Sequence, residues 1–467
     1  MDIYFYNTLT KKKDKFEPLN PDEIRIYSCG PTVYKDATIG NMRTNIFQDV
    51  LRRTLRYNGY KIKHVMNITD VGHLVSDGDE GEDKMLKSAR EEHKTPLQIA
   101  EHYTKLFFDD LSALNIETPE IVCKATEHIK EMLEYVEKLM ENGYAYETST
   151  AIYFDISKLD KYPILSNLDV EKQKAGARVE IDPEKRNPQD FALWIKAPEN
   201  HLMKWDSPWG PSYPGWHIEC SAMGQKYLGD QFDIHTGGID LIPTHHENEI
   251  AQSKGKCGKI PARYWLHGEY LLINGGKMSK SLGNVYLVKD IKEKGFDTIV
   301  YKLFSYSCHY RNKLNFTWEG IESAAKSLER LRNSYQMNLN GTDDLTDEDK
   351  TKLSKIEENF HKAINDDLNM PLAMSFVWEA ARFEKKNPKV AKLLAKFDTV
   401  LGIKIDEVNS EKQEIPQEIL DLVEQRKKAR ENKDWAKSDE LRDLINQKGY
   451  NVKDTKNGVE VIKIWRK

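Results

Sequence analysis

Residues 23–67 constrain the fold of this chain more than any other stretch. Glu23-Ile24-Arg25-Ile26-Tyr27-Ser28-Cys29-Gly30 alternates apolar and polar side chains and then reaches Pro31, the pattern of a strand running into a loop. After Gly40, Ile46, Phe47, Val50, Leu51 and Leu55 recur at helical spacing, and Tyr60–Asn67 reads as a second strand. Strand, helix, strand is the unit of a parallel sheet. Its right-handed crossover leaves ligands at the carboxyl ends of the strands. The expected fold is therefore α/β and Rossmann-like.

A chain of 467 residues exceeds one core, and three or four units are expected. From about Asn115 to Asp206 helical and short extended segments mix with prolines, which reads as an insertion at 115–206 into a sheet domain whose halves are 1–114 and 207–270. The sheet pattern resumes with a helix over Trp216–Tyr227, a strand over Phe232–His235 and a helix from His245 towards Lys254. A connecting region spans 271–318. From Glu319 to about 403 the chain is helical, with Ile321, Ala324, Leu328, Leu331 and Tyr335 on one face. A polar linker containing Pro416 precedes a small α+β tail, 416–467, with two helical stretches and a hairpin expected at Asn457-Gly458.

Composition excludes several classes. No apolar run approaches the ~18 residues of a membrane span, and the N-terminus has no basic region followed by an apolar one, so neither membrane insertion nor a signal peptide is expected. Five scattered cysteines do not form a secreted disulfide framework and suit a reducing cytoplasm. Net charge is −5, yet the tail carries 13 Lys and Arg against 10 Asp and Glu, a local lean towards a polyanion.

Three motifs carry chemistry. Gly275-Gly276-Lys277-Met278-Ser279-Lys280-Ser281 puts a glycine hinge before two lysines and small hydroxyls, suited to gripping a polyphosphate while charge builds on it. At Cys29–Asn41 a strand feeds a loop that opens a helix, whose N-terminus offers N–H groups and partial positive charge to phosphate, with Gly40 permitting close approach. The third motif concerns metal. His245 and Glu249, four apart, share a helix face. Cys29 at a strand end and Cys220 in the helix over 216–227 lie where a parallel sheet converges, and two thiols, an imidazole and a carboxylate form a zinc donor set. His245 is preferred to His246 because it is in phase with Glu249, although spacing alone does not settle that choice. Cys123, Cys257 and Cys308 receive no role.

Lys277–Ser281 resembles the signature loop of class I aminoacyl-tRNA synthetases. Cys29-Gly30-Pro31-Thr32-Val33-Tyr34, Asn67-Ile68-Thr69-Asp70, Pro214–Ser221, His245–Glu249, Asp366–Asn369 and Lys433–Ala436 resemble the cysteinyl-tRNA synthetase family, in the family's order and over nearly the whole chain. Thr38-Ile39-Gly40-Asn41 stands where that class has His-Ile-Gly-His, and departs from it at both ends. The resemblance implies cysteine, ATP and tRNA(Cys) as partners, zinc held by Cys29, Cys220, His245 and Glu249, Mg²⁺ with ATP, and a cytoplasmic monomer. It implies catalytic roles for Lys277, Lys280, Thr38 and Asn41, and ATP contacts at Gly40, Gly237, Gly238, Asp240 and Lys280. It also implies a cysteine pocket of Gly30, Thr32, Thr69, Trp216 and His235, and anticodon contacts at Arg430, Trp435 and Asp439. By the same resemblance 115–206 is a connective peptide without hydrolytic editing, 271–318 a lysine-loop and stem-contact region, 319–403 a tRNA-binding bundle and 416–467 an anticodon-binding domain. A cysteine-activating ligase with an amino-sugar acceptor, and a non-catalytic RNA- or zinc-binding relative, remain as alternatives.

Overall fold

The computed structural model describes residues 1–72, 84–166, 182–199, 201–279, 282–407, 416–455 and 458–463. Lys280 and Ser281 of the lysine loop, and Asn457 of the expected hairpin turn, lie outside the described residues.

Strands β1 (Tyr4–Asn7) and β2 (Lys12–Lys15) form an antiparallel ribbon ahead of the main sheet. The first βαβ unit is β3 (Ile24–Ser28), α1 (Ile39–Tyr57) and β4 (Ile62–Ile68), as the alternation over 23–67 requires. Helices α2 (Lys84–Glu91) and α3 (Pro96–Ala113) lead to β5 (Ile121–Lys124). Four further segments follow: α4 (Ile129–Glu141), β6 (Ala145–Glu147), β7 (Ala151–Phe154) and β8 (Phe191–Lys196). Then come β9 (Ser212–Pro214), α5 (Trp216–Leu228), β10 (Phe232–Gly238), α6 (Glu247–Cys257) and β11 (Ala262–Gly268). The five-stranded sheet has the order β11-β10-β3-β4-β5, and every pairing in it is parallel. The chain order reverses between β3 and β10. In open parallel sheets that reversal opens a crevice beyond the carboxyl ends, which is where ligands bind.

Two cores lie on the sheet's two faces. α1 packs with Ile24, Ile26, Met66, Ile234 and Leu266 on one, while Tyr27, Val65 and Trp265 face α4, α5 and α6 on the other. Because strand side chains alternate, Ile26 and Tyr27 serve opposite cores from adjacent positions. The insertion differs from the expected 115–206. β5 at 121–124 is an edge strand of the parallel sheet, and β9 at 212–214 closes the antiparallel sheet β6-β7-β8-β9.

Strand β12 (Leu271–Ile273) pairs antiparallel with β13 (Gly276–Lys277) and parallel with β14 (Leu314–Phe316), with α7 (Val288–Glu293) and α8 (Ile299–Ser305) between. Asn274 and Gly275, at φ +49° and +80°, make the tight turn of the β12–β13 hairpin. The expected two-glycine hinge is thus an Asn-Gly turn, and Gly276 is already in a strand. The helices α9 (Trp318–Leu339), α10 (Asp347–Asn365), α11 (Met370–Ala381) and α12 (Pro388–Leu401) share the α1 core. The tail forms α13 (Gln417–Glu431), α14 (Trp435–Gln447) and the antiparallel pair β15 (Tyr450–Thr455) and β16 (Gly458–Lys463).

Two buried joints tie the helical region to the sheet unit. Lys302 Nζ donates to Asp49 Oδ2 at 2.6 Å, with neither side chain exposed. Asp367 accepts from the Tyr6 amide at 2.9 Å, from the Tyr310 hydroxyl at 2.7 Å and from Arg311 Nε at 2.7 Å.

Candidate functional site

The four candidate ligands converge at the crevice. Cys29 follows β3 directly, Cys220 sits on the second turn of α5, and Glu249 projects from α6. A π turn over Ile242–His246 precedes α6 and turns both His245 and His246 inward; such turns recur at functional sites. Cys29 Sγ and Cys220 Sγ lie 3.9 Å apart, His245 Nε2 is 3.3 Å from Cys220 Sγ and 3.0 Å from Glu249 Oε1, and Cys29 Sγ is 3.8 Å from Glu249 Oε1. A tetrahedral ion with bonds of ~2.0–2.3 Å separates its ligands by about 3.3–3.8 Å, so the donor set fits zinc in size and in softness. His246 is nearer than the sequence suggested, with Nε2 3.2 Å from Cys29 Sγ. Cys29, His235, His246 and Glu249 form a second close group that shares two members with the first.

The cluster is held from outside. His235 Nε2 meets Glu249 Oε2 at 2.8 Å, His217 Nδ1 meets His245 Nδ1 at 3.0 Å, and His246 Nδ1 meets His267 Nε2 at 2.7 Å. Such contacts fix ring orientation around a metal. Burial opposes charge at every member, yet neighbours divide them. Burial, with Cys220 beside it, pushes the Cys29 thiol well above its ordinary range. Against burial, the Cys29 hydrogen bond and His245 bring the Cys220 thiol down to about 7. Against burial, Cys220 and Glu249 carry His245 up to about 10, and His235 and His245 hold Glu249 at about 2. Burial and the surrounding histidines keep His246 far below its ordinary value. His245 thus bridges Cys220 and Glu249, the contacts that a divalent ion bound here would replace.

The surroundings of the cluster are built from neighbouring loops. The Gly30 amide donates to Asn67 Oδ1 at 2.9 Å, and a Cβ on Gly30 would stand 1.6 Å from the Asn67 carbonyl oxygen, so only glycine fits. Thr32 bridges to Thr69, whose hydroxyl donates to Glu219 Oε2 at 2.8 Å. The Trp216 ring lies 4.5 Å from that of His245, and buried His235 lies below, on β10. Gly30, Thr32, Thr69, Trp216 and His235 therefore border or underlie the cluster. Asn67 and Glu219 tie these loops together. Both occur in the motifs quoted above, but as buried hydrogen-bonding groups they had no sequence signal of their own.

The N-terminus of α1 lies at another side of the crevice. Thr38 and Asn41 form a capping box: Thr38 Oγ1 accepts from the Asn41 amide at 3.3 Å and the Thr38 amide donates to Asn41 Oδ1 at 2.9 Å. Asn41 Oδ1 is taken up by this box. Met278 Cε stands 3.7 Å from where a Gly40 Cβ would be, so the lysine loop lies over the helix N-terminus. Lys277 is exposed at the loop's start. Gly237 is crowded, a Cβ there meeting His246 at 2.7 Å, and Asp240 Oδ1 lies 2.3 Å from a Cβ built on Gly238. In the tail Arg430 lies 5.9 Å from the Trp435 ring, which is 59% exposed, while Asp439 pairs with Arg442 at 3.3 Å.

Known proteins resemble the chain over most of its length. A family described as the class I (C) tRNA synthetase catalytic domain matches residues 15–326, and the cysteinyl-tRNA ligase anticodon binding domain matches residues 412–461. The cysteine–tRNA ligase of Treponema denticola is 47% identical over 483 aligned residues, covering 97% of this chain and 98% of that protein. A cysteine–tRNA ligase of Thermus thermophilus is 42% identical over 477, covering 98% of each. Solved structures share the fold at low identity. Mycobacterium tuberculosis methionyl-tRNA synthetase with methionyl-adenylate has a TM-score of 0.57 at 16% identity, covering 82% of this chain and 90% of that one. The Agrobacterium radiobacter K84 agnB2 LeuRS-tRNA-LeuAMS ternary complex has 0.60 at 12% identity, covering 85% and 86%.

Proposed function

The chain belongs to the cysteine–tRNA ligase family of class I aminoacyl-tRNA synthetases, and from that membership we propose that it joins L-cysteine to tRNA(Cys) in two ATP-dependent steps. The observation that carries the assignment to cysteine is the convergence of Cys29, Cys220, His245 and Glu249 beside Gly30 and Thr69 at the sheet's reversal point.

In the first step the cysteine carboxylate attacks the α-phosphate of ATP, forming cysteinyl-adenylate and releasing pyrophosphate. In the second, a ribose hydroxyl of the tRNA's terminal adenosine attacks the mixed anhydride and AMP leaves. No side chain acts as nucleophile; the chain positions reactants and stabilises charge. Lys277 and Lys280 hold the triphosphate, which enters with Mg²⁺. The N-terminus of α1, with the Asn41 amide, faces the phosphates across Gly40. Gly237, Gly238 and Asp240 receive the adenosine. Gly30, Thr32, Thr69, Trp216 and His235 shape the amino-acid pocket. Cys29, Cys220, His245 and Glu249 would hold zinc, which supplies a bond to a substrate thiolate that a serine hydroxyl cannot match. An ordinary pocket discriminates a small change by only ~1–3 kcal/mol. Arg430, Trp435 and Asp439 meet unpaired anticodon bases by stacking and hydrogen bonding. The working unit is a single cytoplasmic chain; among the described residues no helix is long and apolar enough to cross a membrane.

The test is cysteine-dependent ATP–pyrophosphate exchange followed by charging of tRNA(Cys). Both activities are expected. Exchange without charging would support a small amino-sugar acceptor, and no exchange would leave a non-catalytic relative.

A further inference from the structure

We infer that Arg43 is a positioning residue for adenylation: it fixes the two strands that carry the lysine loop against the helix that faces the phosphates. Arg43 lies on α1, one turn past Ile39, and is 5% exposed. Its Nη1 donates to the carbonyls of Glu269 and Tyr270, both at 2.6 Å. Its Nη2 donates to the carbonyl of His309 at 3.3 Å and to that of Asn312. These carbonyls sit at the entrances to β12 and β14, a parallel pair in which Leu271 faces Leu314. The outer edge of that small sheet is β13, which carries Lys277.

The far end of the loop returns to the same helix. The Ile39 amide donates to the Tyr286 carbonyl at 2.9 Å, and Met278 lies over Gly40 between the two ends. A segment that must reach a triphosphate is therefore referenced twice to the helix on the other side of that triphosphate, at Arg43 and, one turn earlier, at Ile39.

A buried guanidinium is an expensive way to fill space, because its charge loses water. Among the described residues no carboxylate pairs with Arg43; all its hydrogen-bond partners are neutral backbone oxygens. What the group supplies is direction: a rigid planar fork that sets two chain segments at fixed distance and angle. Arg52, on the same helix and 2% exposed, provides a contrast. It donates to the carbonyls of Glu117 and Thr118 and to the Glu120 carboxylate, all next to β5 and away from the loop.

This inference rests on the proposed ATP site, and the test separates the two. Arg43→Gln and Arg43→Lys are compared with Arg52→Gln in cysteine-dependent exchange, zinc content, thermal unfolding and tryptic cleavage within residues 277–286. A displacement of about 1 Å at a reacting centre costs ~10²-fold. Arg43→Gln is therefore expected to lower kcat of exchange about 30- to 100-fold with the cysteine KM and zinc content unchanged, and Arg43→Lys about 10-fold. Arg52→Gln is expected to lose at least as much thermal stability while keeping kcat per folded molecule within about 2-fold. Cleavage of the loop should be faster in Arg43→Gln than in Arg52→Gln, a readout independent of activity. If Arg43→Gln does not fold, Arg43→Lys is decisive. Parental kcat in Arg43→Lys, equal losses in Arg43→Gln and Arg52→Gln, or equal loop cleavage would overturn the inference. Absence of exchange in the parent would instead overturn the proposed function, with loop cleavage still deciding the role of Arg43.

Discussion

Cys220 and Cys29 sit 3.9 Å apart, yet their surroundings drive their thiols in opposite directions. Burial and the neighbouring Cys220 raise Cys29, whereas Cys220 is lowered by its contacts with Cys29 and His245. Replacing Cys220 by serine removes the more acidic thiol and is expected to weaken zinc binding by at least ~100-fold, since even indirect partners of a metal contribute 10- to 100-fold. The check is zinc content after dialysis, together with the ratio of cysteine to serine activation. A variant that keeps the parent's preference for cysteine would refute the proposed basis of selectivity. A second residue-scale expectation concerns Asp110 on α3. Burial, then Asp36 and Asp109, push its carboxyl up to about 7. Its unfolded value is near 3.9, so between about pH 4 and 7 the folded state binds the extra proton, and stability falls as pH rises through that window. Asp110→Asn should flatten urea-unfolding stability over that window; an unchanged slope would count against the assignment.

At the scale of elements, the first βαβ unit was legible because its two periodicities are strong and adjacent. The closeness of Cys29, Cys220, His245 and Glu249 followed from the same sheet pattern, because Cys29 ends β3 and the helix phase puts His245 beside Glu249. The π turn before α6 was not legible. Nothing in Ile242–His246 distinguishes one wide turn from the first turn of a helix, and so the approach of His246 to Cys29 escaped the spacing argument. The glycine pair before the lysine loop misled for a related reason. Composition proclaims freedom, but strand pairing places only Gly275, with Asn274, at the turn. Gly275→Ala should therefore act by strain. Holding a side chain at φ +80° costs ~1–2 kcal/mol, to be read in urea unfolding, with a raised ATP KM as the hairpin shifts. A variant of full stability would mean that the turn relaxes freely.

At the scale of the molecule, Asp367 joins three regions distant in sequence: the N-terminal ribbon through Tyr6, the segment before β14 through Tyr310 and Arg311, and the helical region to which it belongs. It and Leu368 hold φ +59° and +52°, a strained pair in residues other than glycine. The string Asp366–Asn369 is visible in the sequence, but its purpose is not, because its partners lie more than fifty positions away. Removing one partner from such a buried charged cluster costs about 3–5 kcal/mol. Asp367→Ala is therefore expected to lower the thermal midpoint sharply and to reduce tRNA charging more than pyrophosphate exchange; equal reductions would argue against a joint between the helical region and the catalytic unit.

The inserted antiparallel sheet has a consequence for how this architecture tolerates change in length. Its strands leave after β5 and return just before α5, so the detour adds no strand to the five that run parallel. The detour is moored at several places: Asn142 Nδ2 donates to the carbonyls of Gly255 and Lys256, both at 2.9 Å, and Glu131 pairs with Lys226. Glu247 accepts from the amides of Leu165 and Ser166, both at 2.8 Å, as well as from that of Ile164, and the Tyr162 hydroxyl reaches Asn248 at 2.7 Å. Those two acceptors stand between His246 and Glu249, at the start of α6. Shortening the backbone at 162–166 would therefore tug on the helix that bears Glu249.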